Sequence, residues 1–253
     1  MSEQYDLVVI GGGPGGLTAS ETAAGLKKKV LIIEKDGWGG TCTHRGCIPT
    51  KAFLTCSRFY TDLKKLKRLG VNVTGAAFDF AVMKKHREQT VKIAALGAQK
   101  VLADAGVETR QGTAEIMSPR EVRLTDAAGQ EQLIATDNIL IAWGSVPQIL
   151  PGMTPSQKIM TSDDILNIPA LPASMIIAGG SFIGVEYATV FAELGVKIIL
   201  VELLDRILPM EDDEAAGLLG QELARLGIAL HTSTRLLSLK ESASGVVMQV
   251  QKN

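Results

Sequence analysis

Cys42 and Cys47 are separated by four residues in the run Gly39-Gly-Thr-Cys-Thr-His-Arg-Gly-Cys-Ile-Pro-Thr-Lys51. Two thiols that close can store an electron pair as a disulfide. In a regular α-helix the axial rise between them would alone be about 7.5 Å, beyond the usual Cα separation across a disulfide. The helix is therefore expected to be distorted or only starting there. Gly46 loosens the backbone, and Pro49 removes a donor and disfavours helical conformation at Ile48. The spacing permits a redox pair. Cys56 lies on the helical continuation Ala52 to Leu69 beside Phe53, Leu54, Phe59 and Tyr60, and reads as a small buried hydrophobe.

The elements on either side of the dithiol run form two copies of one unit. Leu7-Val-Val-Ile-Gly-Gly-Gly-Pro-Gly-Gly16 is a short apolar run ending in Gly11-x-Gly13-x-x-Gly16. The helix-like Leu17 to Leu26 follows, then a second apolar run, Val30 to Ile33, closed by Glu34. This is the βαβ dinucleotide fingerprint, in which glycines allow a tight turn and close approach of a pyrophosphate to backbone N–H groups, and the acid takes the ribose hydroxyls. A shift of 168 residues lays Gly179, Gly180 and Gly184 over Gly11, Gly12 and Gly16, and Glu202 over Glu34. Ala24 then meets Ala192 and Leu26 meets Leu194, so the repeat runs through the helix.

The second copy departs at Ser181, which stands where the middle glycine is expected. A Cβ there narrows the pyrophosphate approach, although a hydroxyl can itself donate to phosphate. Glu202 accepts hydrogen bonds from a ribose diol and repels a 2′-phosphate, which favours NAD over NADP. Arg206, four residues on, pulls the other way.

Composition excludes several other classes. The 253 residues carry a formal charge of −1 and 46% hydrophobic residues, as a soluble globular protein does. The one dense basic cluster, Lys64-Lys65-Leu66-Lys67-Arg68, has helical spacing and no interleaved aromatics, so it reads as a solvated helix face and not a nucleic-acid contact. Met1 to Asp6 has no basic n-region, and Leu7 to Ile10 is too short for a signal peptide or a membrane span. Three cysteines cannot all pair within one chain, and a secreted disulfide scaffold would need more of them. A cytoplasmic location is expected, where a Cys42–Cys47 bridge would be a working group and not a staple.

With Gly-rich loop, acid, dithiol run and second Gly-rich loop in this order, the chain resembles the flavoprotein disulfide reductases, most closely the branch that oxidises dihydrolipoyl groups. Ile141-Ala-Trp-Gly-Ser-Val-Pro147 is similar to that family's segment returning to the flavin, and Val201-Glu-Leu-Leu-Asp-Arg-Ile-Leu-Pro209 to its NAD-type strand end. The resemblance implies that FAD is bound by Gly11, Gly13, Gly16, Glu34, Lys35, Thr41, Lys51, Ala114, Gly144 and Ser145. It implies that NAD is bound by Gly179, Gly180, Ser181, Ile183, Gly184, Glu186 and Glu202, with Lys51 near the flavin ring and paired with Glu186. Cys47 would face the flavin and Cys42 would exchange with the substrate. No metal is implied.

The implied reaction passes electrons from a dithiol, a dihydrolipoyl group on a carrier protein, through Cys42 and Cys47 and FAD to NAD. The alternatives are another disulfide or metal-ion reductase, a transhydrogenase of the same family, or a truncated fragment that binds cofactors without turnover. The run Cys42-Thr-His is shared with the soluble pyridine nucleotide transhydrogenases, which lack the second cysteine; Cys47 is what favours disulfide chemistry. His44 is expected to be a solvent-facing loop residue and not the base. Trp143 replaces the family's usual threonine, so a large indole must fit beside the flavin edge or point away from it.

The expected fold is α/β, two Rossmann-like FAD/NAD(P)-binding domains of the disulfide-reductase type with mostly parallel, helix-covered sheets. Residues 1–150 form the FAD domain, with the dithiol helix, a long helix near Phe80 to Ala105 and a β-rich stretch from Glu108 to Ala142. Residues 151–253 form an incomplete NAD domain, after a linker punctuated by Pro147, Pro151 and Pro155. The family's carboxy-terminal interface domain, with its catalytic His-Glu pair and the homodimer contact, is not expected within this sequence. His86, in a charged helix, and His231, on a strand, read as surface or strand residues. Missing strands would leave open, apolar sheet edges.

Overall fold

The computed structural model describes residues 4–150 and 153–252. Pro151, the expected boundary at residue 151, and Asn253 lie outside them. The chain divides into two units, Met1–Pro49 with Arg87–Val146, and Thr50–His86 with Pro147–Asn253. Segment Thr50–His86, expected in the first domain, thus groups with the second unit.

The first unit opens with strands β1 (Gln4–Tyr5) and β2 (Leu7–Ile10), helix α1 (Pro14–Gly25), and strand β3 (Val30–Glu34). Helix α2 (Gly40–His44) and helix α3 (Cys47–Lys65) carry the dithiol run, and helix α4 spans Phe80–Asp104. The division between units falls within α3 and within α4. Strands β4 (Glu108–Gln111), β5 (Thr113–Ser118), β6 (Glu121–Thr125), β7 (Glu131–Thr136) and β8 (Ile139–Ile141) follow. They serve two sheets. β4-β3-β2-β8 is parallel throughout, whereas β5, β6 and β7 form an antiparallel meander that β1 joins in parallel through β7.

Strand β3 is buried along its whole length, as a central parallel strand covered on both faces must be. Val8, Leu31, Val122 and Ile134 are fully buried in one core beside it, and Val9, Ile32, Leu102 and Trp38 pack in another.

The second unit contains strand β9 (Ser174–Ala178), helix α5 (Phe182–Glu193), strand β10 (Lys197–Val201), helix α6 (Asp213–Arg225) and strand β11 (Ala229–His231). These strands form a parallel sheet in the order β11-β10-β9. Strands β12 (Thr234–Ser242) and β13 (Gly245–Lys252) form a separate antiparallel hairpin. Helix α5 buries Val185, Ala188, Val190 and Phe191, and the same core takes in Phe53 from α3 and Met83 from α4. This shared apolar core explains why Thr50–His86 belongs here. β9 is an edge strand with half-buried Met175, Ile176 and Ile177, whereas the edge strand β4 is built from Glu108, Thr109, Arg110 and Gln111.

Candidate functional site

The two fingerprints fold alike down to single bonds. Helices α1 and α5 start and stop 168 residues apart, at Pro14 and Phe182 and at Gly25 and Glu193. Gly11 and Gly179 have φ of +108° and +109°, and their N–H groups donate to Ile33 O and Val201 O at 2.8 Å in each case. A Cβ on Gly16 would overlap Gly11 O, and one on Gly184 would overlap Gly179 O, so only glycine lets the helix approach the turn this closely.

Each closing acid is tied back to its own loop. Glu34 Oε2 accepts from Gly12 N–H at 2.6 Å and its Oε1 from Asp36 N–H at 2.6 Å. Glu202 accepts from Gly180 N–H at 2.6 Å and from Leu204 N–H at 2.8 Å. Both acids are only 8% exposed, and both keep acceptor lone pairs for hydroxyl donors.

The helix starts fit a diphosphate. Gly13 and Ser181 are the extended N-cap residues of α1 and α5; no side chain caps either helix start, and neither first turn holds an acid. Their first N–H groups and the positive end of the helix dipole therefore face the loop without a side-chain competitor. The exposed Ser181 hydroxyl is not used as a cap. Arg206 does not stand ready for a 2′-phosphate: its guanidinium pairs with Asp213 and donates to Pro209 O at 3.0 Å.

The remaining FAD candidates are divided between the two units. Space beside Gly11 is filled by the backbone of Ala142 and Trp143, and Ala142 N–H donates to Ile10 O at 2.8 Å. The exposed Gly144 and Ser145 follow directly, Gly144 with φ +75°. Trp143 is itself 66% exposed. Gly112 N–H donates to Glu34 O at 2.9 Å, which brings the start of β5, with half-buried Ala114, to the end of β3. Lys35 and Thr41 are exposed. Lys51 belongs to the second unit, where its Nζ donates to Glu186 Oε1 at 2.6 Å; both side chains are partly exposed. The NAD candidate Ile183 is exposed on the first turn of α5.

The dithiol run is interrupted where its spacing required. Helix α2 ends at His44, Arg45 adopts φ −135° and ψ −1°, and α3 begins at Cys47. The break lies at Arg45–Gly46 and not at Ile48, which is helical. Pro49 is the third residue of α3, where its missing N–H would have no intrahelical partner anyway. Cys42 is half-buried and Cys47 exposed. Cys56 is half-buried against the second unit's core, and burial pushes its thiol pKa up.

Helix α2 is joined to the first fingerprint. Gly39 N–H donates to Gly12 O at 2.8 Å, and a Cβ on Gly40 would lie 2.6 Å from Gly13 Cα. The residues that make this junction, Trp38 and Thr43, were not singled out by motif. Trp38 is buried with its ring against Gly12, and buried Thr43 fills the space over Gly39. The signal for Trp38 was the run Gly37-Trp-Gly-Gly40, a large ring set among glycines. His44 differs from expectation: it is half-buried on α2, with Nε2 3.0 Å from Trp38 O. His86 and His231 are exposed on α4 and β11.

Comparison with known proteins agrees with this construction. The model of the pyridine nucleotide-disulphide oxidoreductase family matches residues 5–253. A dihydrolipoyl dehydrogenase of Chlorobaculum tepidum is 37% identical over 97% of this chain and 53% of its own length. One from Acholeplasma laidlawii is 36% identical over 93% of this chain and 70% of its own length. LpdA of Mycobacterium tuberculosis superposes with a TM-score of 0.88 at 27% identity, over 98% of this chain and 55% of that one. The HOCl-induced flavoprotein disulfide reductase RclA of Escherichia coli gives 0.81 at 26% identity, over 98% of this chain and 54% of that one. The chain spans about half the length of most of these relatives. With two matched fingerprints, an interrupted dithiol helix and a family match over nearly all its residues, the chain belongs to the pyridine nucleotide-disulphide oxidoreductases.

Proposed function

We propose that this chain provides the FAD- and NAD-binding portion of a dihydrolipoyl dehydrogenase-type oxidoreductase. Family membership implies FAD and NAD as cofactors. The observation that carries the reading is the junction of the dithiol helix with the first fingerprint, Gly40 against Gly13 and Gly39 N–H on Gly12 O. It ties the thiol-bearing segment to the loop that would hold a flavin diphosphate.

FAD would be held by the open first turn of α1 and by Glu34, and NAD by that of α5 and by Glu202. Bound FAD supplies a two-electron carrier between the dithiol and the nicotinamide. The thiols perform the exchange. A substrate thiolate attacks Cys42 Sγ, the Cys42–Cys47 S–S bond breaks, and a mixed disulfide forms. The second substrate thiol then displaces Cys42, so the substrate leaves as a disulfide and both cysteines are left reduced, having gained two electrons. The substrate assigned is a dihydrolipoyl group on a carrier protein, because the relatives bearing that name match nearly the whole chain. A homodimeric assembly and a cytoplasmic location belong to the same proposal, the latter resting on the sparse cysteines.

The test is anaerobic two-electron reduction of the FAD-loaded chain, watched for a long-wavelength thiolate-to-flavin absorption band. The band is expected in the native protein and lost in Cys47→Ser. Its absence from the native protein, or its survival in the variant, refutes the disulfide mechanism.

A further inference from the structure

The half-buried ring of His44 stands two residues after Cys42 and three before Cys47, yet it faces a backbone carbonyl. Its Nε2 lies 3.0 Å from Trp38 O. A carbonyl can only accept, so Nε2 carries a proton and donates it. The ring also fills the space a side chain on residue 37 would need: a Cβ on Gly37 would stand 2.7 Å from Nε2. Trp38 is in turn buried against the fingerprint, its ring where a Cβ on Gly12 would come within 2.9 Å.

From these contacts we infer that His44 is a positioning residue for the Cys42–Cys47 pair, a strut that fixes the end of α2 to the Trp38 backbone and so to the dinucleotide loop. The inference deepens the proposed function and rests on its redox pair. The geometry explains why the strut sits at this residue. His44 is the last residue of α2, and the turn after it, Arg45–Gly46, links the half-buried Cys42 to Cys47 at the head of α3, both being reduced thiols in this structure. Disulfide geometry tolerates only a narrow range of separations. Holding α2 still raises the effective concentration of one thiol at the other and favours the bridge. Only the N–H at the far side of the ring is needed. A glutamine, whose amide nitrogen reaches about as far as Nε2, replaces it, and an asparagine, which reaches only as far as Nδ1, does not.

The purified chain and its His44→Gln, His44→Asn and His44→Ala variants are equilibrated in glutathione buffers of graded ratio. Bridging of Cys42 to Cys47 is then read by differential alkylation and mass spectrometry. Forming the bridge releases two protons and passes two electrons to glutathione disulfide, which is cleaved to two thiols. The Asn and Ala variants should be reduced at a glutathione ratio about three- to tenfold less reducing than the native chain, the worth of one hydrogen bond being the upper limit because that bond also forms with both thiols reduced, with His44→Gln within about twofold of native. Thermal unfolding of each variant is recorded alongside; if His44→Ala does not fold, the Gln and Asn pair decides. Native-like behaviour of the Asn variant, or an equal shift in the Gln variant, overturns the strut. A native chain that never forms the bridge overturns the redox pair itself, and the strut with it.

Discussion

Gly180 N–H donates to the Glu202 carboxylate at 2.6 Å, and 168 residues earlier Gly12 N–H donates to Glu34 at the same distance. The acid that closes each βαβ unit is therefore also the residue that ties its glycine loop to the second strand. Loop shape, and the ribose recognition proposed for Glu34 and Glu202, would then reside in one side chain.

Replacing Glu202 should expose both roles. In Glu202→Ala the buried N–H of Gly180 loses its acceptor, at a cost of about 1–3 kcal/mol, and the part-buried hydrogen bond from Leu204 N–H is lost as well. NADH binding, followed by nucleotide fluorescence, should weaken at least tenfold, while flavin retention stays unchanged. Tighter binding of NADPH than NADH by the native chain would refute the assignment of Glu202.

The glycines of the first helix should separate sharply. Gly16→Ala places a methyl group on Gly11 O and should destabilise the chain by roughly 1–3 kcal/mol or more in urea unfolding. A Cβ on Gly15, one residue earlier, meets nothing within 4 Å, so Gly15→Ala should be neutral or stabilise by about 0.5–1 kcal/mol. Equal effects at the two positions would contradict the close helix–turn approach.

Thiol reactivity should follow position. Cys47 is exposed, whereas half-buried Cys56 has its pKa raised by burial and stays protonated at neutral pH. Iodoacetamide at pH 8 should label Cys47 in the reduced chain well before Cys56, as peptide mapping would report.

Asp164 supplies a pH signature. Thr161 donates its backbone N–H at 2.8 Å and its hydroxyl at 2.7 Å to Oδ2, and these bonds, the backbone one foremost, hold the carboxyl below its ordinary value. A lowered folded pKa gives stability that is complete above the unfolded pKa of about 3.9 and is lost as pH falls through the folded value. The stability gap between native and Asp164→Asn should be constant from pH 8 to about 5 and close below about 4. A gap that persists at pH 2 would show that the carboxylate charge is not its source.

The sequence by itself determined the parts governed by local stereochemistry. The 168-residue repeat, the acids Glu34 and Glu202, and the need for a helix break between Cys42 and Cys47 all follow from spacing, because a backbone has few ways to turn at a glycine or to bring two thiols together. What it left open depended on which surfaces meet. The stretch from Glu108 to Ala142 read simply as β-rich, yet its strands serve two sheets, since strand patterning does not reveal the partner of an edge. Thr50–His86 followed the dithiol run in sequence but joins the core of α5 through Phe53 and Met83. His44 looked like a loop residue until Trp38, buried against Gly12, brought a carbonyl to its ring. Only the tertiary structure decides such cases, because a side chain's role there is set by the acceptor or apolar surface packed against it from elsewhere in the chain.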